Sequence, residues 1–126
     1  MIIDGNREAG PGPVEALLGS LAACSAIDVV DYLEKRRTPA SRLDIAVVAE
    51  RNATPPRRVI RARLEFTIDG DSIDATHAER SIALAFSTYC SVAATFARDV
   101  ELSTRLTLNG VEGIEVVHRA GLSSTS

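Results

Sequence analysis

The chain has 126 residues, 45% of them hydrophobic, with 14 Lys and Arg against 17 Asp and Glu. That length argues for one domain with a modest core, and that hydrophobic share argues against disorder. A net charge of −3 argues against nucleic acid or an anionic membrane surface as a partner.

"MIIDGNREAG" lacks the apolar stretch of a signal peptide, and Met1 to Asp4 reads as the end of a strand closing on the turn "DGN". After the loop "REAGPGP", Pro13 opens a helix that runs to about Arg36, with Glu15 in its first turn. Lys35, Arg36 and Arg37 suit its C-terminal end, and Pro39 stops it. The first half, Ala16 to Ile27, is apolar on every side. It falls short of a membrane span and is followed by Asp28 and Asp31. A chain this small can hardly enclose such a helix, so a wrapping sheet or a second subunit is expected.

Two strands follow. "SRLDIAVVAER" alternates Leu43, Ile45 and Val47 against Asp44, Ala46 and Val48; "RRVIRARLEFTIDG" alternates Ile60, Ala62, Leu64, Phe66 and Ile68 against Arg61, Arg63, Glu65 and Thr67. "NATPP" joins them as a hairpin. Asp71 to Phe86 reads as a second helix, with Ile73, His77, Ile82 and Phe86 near one face. Ser87-Thr88 interrupts it and can cap a third helix, Tyr89 to about Arg98. "DVELSTRLTLNG" reads as a strand, Val111 to Arg119 as one more, and "LSSTS" as a frayed end. This order predicts an α+β domain over 1–126 with an antiparallel sheet, the last stretch, about 114–126, serving as a tail.

Chemistry rests on two cysteines, Cys24 and Cys90, 66 residues apart. Without a secretory signal they are expected to be reduced, catalytic or buried in a cytoplasmic protein, not a structural staple. Ser20, Cys24, Asp28 and Asp31 share a helical stripe, on which negative charge would raise a thiol pKa. Cys90 falls in the first turn of the third helix, where free N–H groups favour a thiolate. Each can equally be an inert core residue. As a pair they suit a two-cysteine peroxidase, in which one thiolate takes oxygen from a peroxide and the second closes a disulfide. His77 and His118 show no ligand spacing with the thiols, so no metal is expected. No cofactor is expected either: "GPGPVEALLG" lacks the lysine and strand context of a phosphate loop. The arginines of "RRVIRAR" suit a solvated strand face.

The segment "GPGPVEALLGSLAACSAIDVVDYLEKRR" resembles the central-helix signature of the OsmC/Ohr family, the osmotically inducible and organic hydroperoxide resistance proteins. "STYCSVAATFARDVELS" resembles the second-cysteine helix of the same family, and the wording is nearest to its small OsmC-like redox branch. The resemblance covers about Ile2 to Leu108. It implies a homodimer with two long helices buried back to back, and a fold whose N-terminal strand pair is here largely absent. It also implies reduction of small organic hydroperoxides, with Cys24 peroxidatic, Cys90 resolving, and a dithiol reductant as partner.

Two departures stand out. The family's glutamate position is Val14 here, with Glu15 one residue on, and the strand bearing its partner arginine is missing, Arg7 being no equivalent. Cys24 is therefore expected to be a sluggish nucleophile, at or above the free thiol value of about 8.5, and Cys90 the more readily alkylated thiol. The alternative is a non-catalytic dimer that binds an apolar or acyl ligand at its interface. A long helix in a wrapped sheet also resembles hotdog-type proteins, but no acid or base within Leu17 to Ile27 supports thioesterase chemistry.

Overall fold

The computed structural model describes residues 1–121. Helix α1 spans Pro13–Lys35. Pro13 occupies the first helical position, where no N–H is needed, and the Glu15 carboxylate accepts the Gly12 N–H at 3.2 Å. The helix closes on a left-handed Arg37, φ 63°. Thr38 N–H there bonds to the Leu33 carbonyl and Arg37 N–H to that of Glu34, both at 2.9 Å.

Strands β1 (Arg42–Arg51) and β2 (Val59–Asp69) form the expected antiparallel hairpin. Helix α2 (Ala75–Leu84) begins at Asp74, whose side chain accepts the His77 N–H at 2.8 Å. Strands β3 (Glu101–Leu108) and β4 (Val111–Arg119) complete one sheet in the order β1-β2-β3-β4. The expectation of an antiparallel sheet needs one correction. The central pair, β2 and β3, is parallel, with Ala62 opposite Leu102 and Ile68 opposite Leu108. Residues 70–100 carry the chain across the sheet through helices, and a crossover of that length lets the next strand enter in the same direction.

Alternation along the strands builds the two faces of the sheet. Ala62, Leu64, Phe66 and Ile68 of β2 and Leu102, Leu106 and Leu108 of β3 are buried together on the helix side. The opposite face carries ion pairs of Arg61 with Glu50 and Glu101, and of Arg105 with Glu112. Residues 114–119, expected within the tail, are the second half of β4. "LSSTS" lies outside the described residues. Met1 to Asp4 forms no strand; the Asp4 carboxylate instead gathers the N–H groups of Asn6, Glu8 and Ala9 at 2.9 to 3.1 Å.

Helix α1 packs against β1, α2 and the segment that follows α2. Its buried stripe is Leu21, Ser25, Val29 and Leu33, every fourth residue. It is not enclosed all round by its own chain: Leu17 is 46% and Ile27 62% exposed. By length and composition alone α1 is long and apolar enough to cross a membrane, which the uncharged run Ala16 to Ile27 did not suggest. In the fold its core stripe is seated inside the domain, with no surface of Leu21, Val29 or Leu33 exposed.

Candidate functional site: a thiol pair beside an unpartnered carboxylate

Spacing of four residues sets Ser20, Cys24 and Asp28 on a stripe of α1 next to the buried one, so Cys24 is half-buried. What it faces comes from the far end of the crossover. After α2 the chain does not break at Ser87-Thr88, as their capping chemistry suggests. It widens into a π-turn, Ala85–Tyr89, closed by the Cys90 N–H on the Ala85 carbonyl at 2.7 Å. Cys90 itself is the cap of the short helix α3 (Ser91–Thr95), in extended conformation at φ −77°, ψ 104°. Its sulfur accepts the Ala93 N–H at 3.4 Å. Helix α3 ends at Thr95, before the expected Arg98.

This turn brings the two sequence-distant thiols together. The Cys24 and Cys90 sulfurs and a carboxylate oxygen of Asp28 all lie within 4.8 Å of one another. Both thiols are free. The Ser91 hydroxyl lies 3.9 Å from the Cys24 sulfur. This cluster is the one place among the described residues where three such donor groups meet, and so the one place where a metal ion could find three side-chain ligands. The histidines are elsewhere. The His77 ring bonds Asp74 at 2.6 Å, and His118 stacks on Phe86 and bonds the Thr104 hydroxyl at 2.7 Å. The two-cysteine, two-histidine set weighed for zinc is not assembled.

The electrostatics reverse what the sequence suggests for each thiol. Cys24 is drawn below the ordinary thiol value, chiefly by the Val92 N–H, with burial opposing. The Cys90 and Ser91 side chains assist, and the Asp28 charge works against it. Cys90 is pushed up to about 11, mainly by burial, the Ala93 N–H being too little to offset it. The N–H groups that sequence position assigned to Cys90 are shared with, and serve, the thiol across the gap. Arg7 does pair with Glu15, at 3.5 Å, but at the opening of α1 and not among the groups that act on Cys24.

Asp28 is the residue that sequence reasoning undervalued. Its Oδ2 is buried without a hydrogen-bond partner, and its pKa is raised by burial and then by Asp31. Four-residue spacing from Cys24 was the available signal. Ser91 and the Val92 N–H left no signal, because they act through a turn that no local pattern announces.

Two cavities are bordered by neighbours of the thiols, not by the thiols themselves. An apolar one of about 530 Å³ is bordered by Leu17, Ser20, Val92, Phe96 and Val100, with Arg57 and Arg58 at its rim. A more polar one of about 210 Å³ is bordered by Asp28, Asp31, Lys35 and Tyr89.

A long helix delivering one half-buried thiol to a second at the end of a crossover is the arrangement of an OsmC-like protein. The family model for "OsmC-like protein" matches residues 4–105, and the chain belongs to that family. Protein YhfA of Escherichia coli K12 is 31% identical over 104 residues, covering 82% of this chain and 78% of the relative. The OsmC-like protein of Mycoplasma pneumoniae shares the fold with a TM-score of 0.72 at 20% identity, over 84% of this chain and 79% of that one. The organic hydroperoxide resistance protein OhrB of Bacillus subtilis does so with a TM-score of 0.52 at 14% identity, over 86% and 80%. Family membership and the adjacent thiols together fit a redox role.

Proposed function

We propose that this chain is a thiol peroxidase that reduces small organic hydroperoxides in the cytoplasm, with Cys24 peroxidatic and Cys90 resolving. The observation that carries the reading is the placement of a half-buried thiol within 4.8 Å of a second, buried one, the first drawn below the ordinary thiol value and the second pushed above it. The Cys24 thiolate attacks the outer oxygen of the hydroperoxide, the O–O bond breaks, and an alcohol leaves once protonated. Cys90 then displaces water from the Cys24 sulfenic acid and closes a disulfide, which a dithiol reductant reopens. The apolar cavity reached past Ser20 and Val92 favours an alkyl body over hydrogen peroxide.

The same cavity supports the second reading, a non-catalytic dimer that holds an apolar or acyl ligand. Loss of free thiols on addition of an alkyl hydroperoxide, compared with hydrogen peroxide, separates the two. The peroxidase reading expects a loss of two thiols per chain with alkyl hydroperoxide favoured. It expects none in Cys24→Ser, and a Cys24 oxidised beyond the sulfenic acid in Cys90→Ser. An unchanged thiol count in the wild type overturns it.

The active unit is proposed to be a homodimer joined along α1. Leu17 and Ile27 stay exposed on a helix whose other side is core, and Val111 and Ile114 of β4 are 73% and 80% exposed. At roughly 25 cal/mol per Å² of apolar surface, covering them in a partner is worth several kcal/mol. Light scattering is expected to give the mass of two chains at micromolar concentration; a stable single-chain mass removes this part of the reading.

A further inference from the structure

We propose that Asp28 is the proton acceptor that lets the Cys90 thiol attack Cys24, and the donor that returns this proton to the departing oxygen. The inference rests on the peroxidase reading for its leaving group, but the attack itself is tested without a peroxide.

The need for a base is set by Cys90. It is 4% exposed and accepts one backbone N–H, and its thiol stays protonated far above neutral pH. A thiol must lose its proton to become the nucleophile in disulfide formation. Near its sulfur lie the N–H groups of Ala93 and Val92, which donate and cannot accept, the Cys24 sulfur, which is the target, and Asp28. Asp28 is therefore the acceptor the geometry supplies, within 4.8 Å of both sulfurs. Its Oδ2 is buried and accepts from nothing in the resting protein. A buried acceptor left without a donor calls for an explanation, and a proton that arrives only during the reaction is one. Such contacts commonly tighten only as the reacting groups engage.

The step balances. The Cys90 S–H proton passes to the Asp28 carboxylate as the Cys90 sulfur bonds to the Cys24 sulfur. The S–O bond of the Cys24 sulfenic acid breaks, and the hydroxide takes the proton from Asp28 and leaves as water. Cys90 is oxidised, the sulfenic sulfur is reduced to the disulfide level, and Asp28 ends as it began. Burial and Asp31 hold the Asp28 carboxyl above the usual carboxylate range, which brings it nearer to neutrality in both roles. Asp28 also borders the more polar cavity of about 210 Å³, which the apolar cavity's lining does not share.

The test uses dithiobis-nitrobenzoate on the reduced full chain in buffer containing EDTA. Cys24 takes up one nitrothiobenzoate and releases the first; Cys90 displaces the second, which leaves as an anion and needs no proton. The second phase therefore reports proton removal from Cys90 alone, and Cys90→Ser, which lacks it, identifies it. Asp28→Asn is expected to leave the first phase as fast or make it faster, because a charge that opposes the Cys24 thiolate is gone. It is expected to slow the second phase about a hundredfold, the ordinary worth of a positioned base. Asp28→Glu is expected to restore part of that rate. A merely structural loss would slow both phases together.

The wild-type pH profile gives the same answer without a variant. With Asp28 as base the second phase levels off once the carboxylate is ionised; without it the rate climbs toward about pH 11. The titratable groups facing Asp28 are Cys24, Asp31, Tyr32 and Lys35 on α1, Tyr89 from the π-turn and Cys90 at the start of α3, while α2 offers only Ser81 and Leu84. An Asp28→Asn second phase equal to wild type, both phases slowed alike, or a wild-type profile that climbs without levelling overturns the inference. Peroxide turnover without an Asp28 effect sinks this inference alone; an Asp28 effect without peroxide turnover sinks only the peroxidase reading.

Discussion

Cys24 and Cys90 both meet the backbone of residues 92–93, and that stretch treats them in opposite ways. Cys24 comes from a regular helix, remains half-buried and is drawn down chiefly by the Val92 N–H. Cys90 caps the helix that supplies those N–H groups, and burial outweighs what it receives from them. Position in the chain therefore says less about a thiol than the surface across from it does. A helix start stabilises an anion placed before it, but the residue at the start can itself be buried by the turn that forms it. On the proposed peroxidase reading the difference also orders the chemistry: the half-buried thiol, drawn below its ordinary value, meets the oxidant first and the buried one answers second.

The sharpest way to break this comparison is to measure both thiols singly. At pH 8 a thiol with pKa about 11 is ionised to about one part in a thousand, whereas one drawn below its ordinary value is ionised to a far larger share. Higher intrinsic nucleophilicity returns about tenfold of that to the more basic thiol. Iodoacetamide at pH 8 is therefore expected to alkylate Cys24 in Cys90→Ser at least about tenfold faster than Cys90 in Cys24→Ser. Lowering the pH should slow Cys24 only below its own depressed value, while Cys90 should lose about tenfold per pH unit throughout. Equal rates, or a faster Cys90, restore the order suggested by the sequence and remove the assignment of roles.

The sequence carried much of this architecture. Period-two alternation in "RRVIRARLEFTIDG" places Ala62, Leu64, Phe66 and Ile68 on one face, and all four are buried. The Pro13 start and the basic end of α1 were equally plain, because helix termini are local chemistry. The two thiols were identified as the candidate pair from their surroundings and family resemblance. What was hidden depended on contacts distant in the chain. The parallel pairing of β2 and β3 follows from a crossover path, not from either strand's own pattern. The π-turn at Ala85–Tyr89 adds one residue to a turn, a shift that Ser87 and Thr88 do not encode. Without that turn the start of α3 favours Cys90, and Asp28 reads only as a charge opposing the thiol.

A smaller effect tests the comparison through stability. An unfolded thiol titrates near 8.5, while folded Cys90 keeps its proton to about 11. Between those values the folded state holds more protons than the unfolded one, so stability falls as pH rises. Cys24 has the opposite sign: its folded value is depressed, so the unfolded state holds more protons below 8.5 or so and stability rises with pH up to that point. The two thiols should therefore bend the curve in opposite senses, giving a crest near the free thiol value. Cys90→Ser is expected to flatten the alkaline side and Cys24→Ser the rise leading to it. Serine at residue 90 keeps an acceptor for the Ala93 N–H, so capping is preserved while titration is removed. Urea denaturation from pH 7 to 10.5 measures both slopes. Curves for Cys90→Ser and wild type that run parallel through the alkaline range would mean that burial does not hold the Cys90 proton, and the need for a base at Asp28 would go with it.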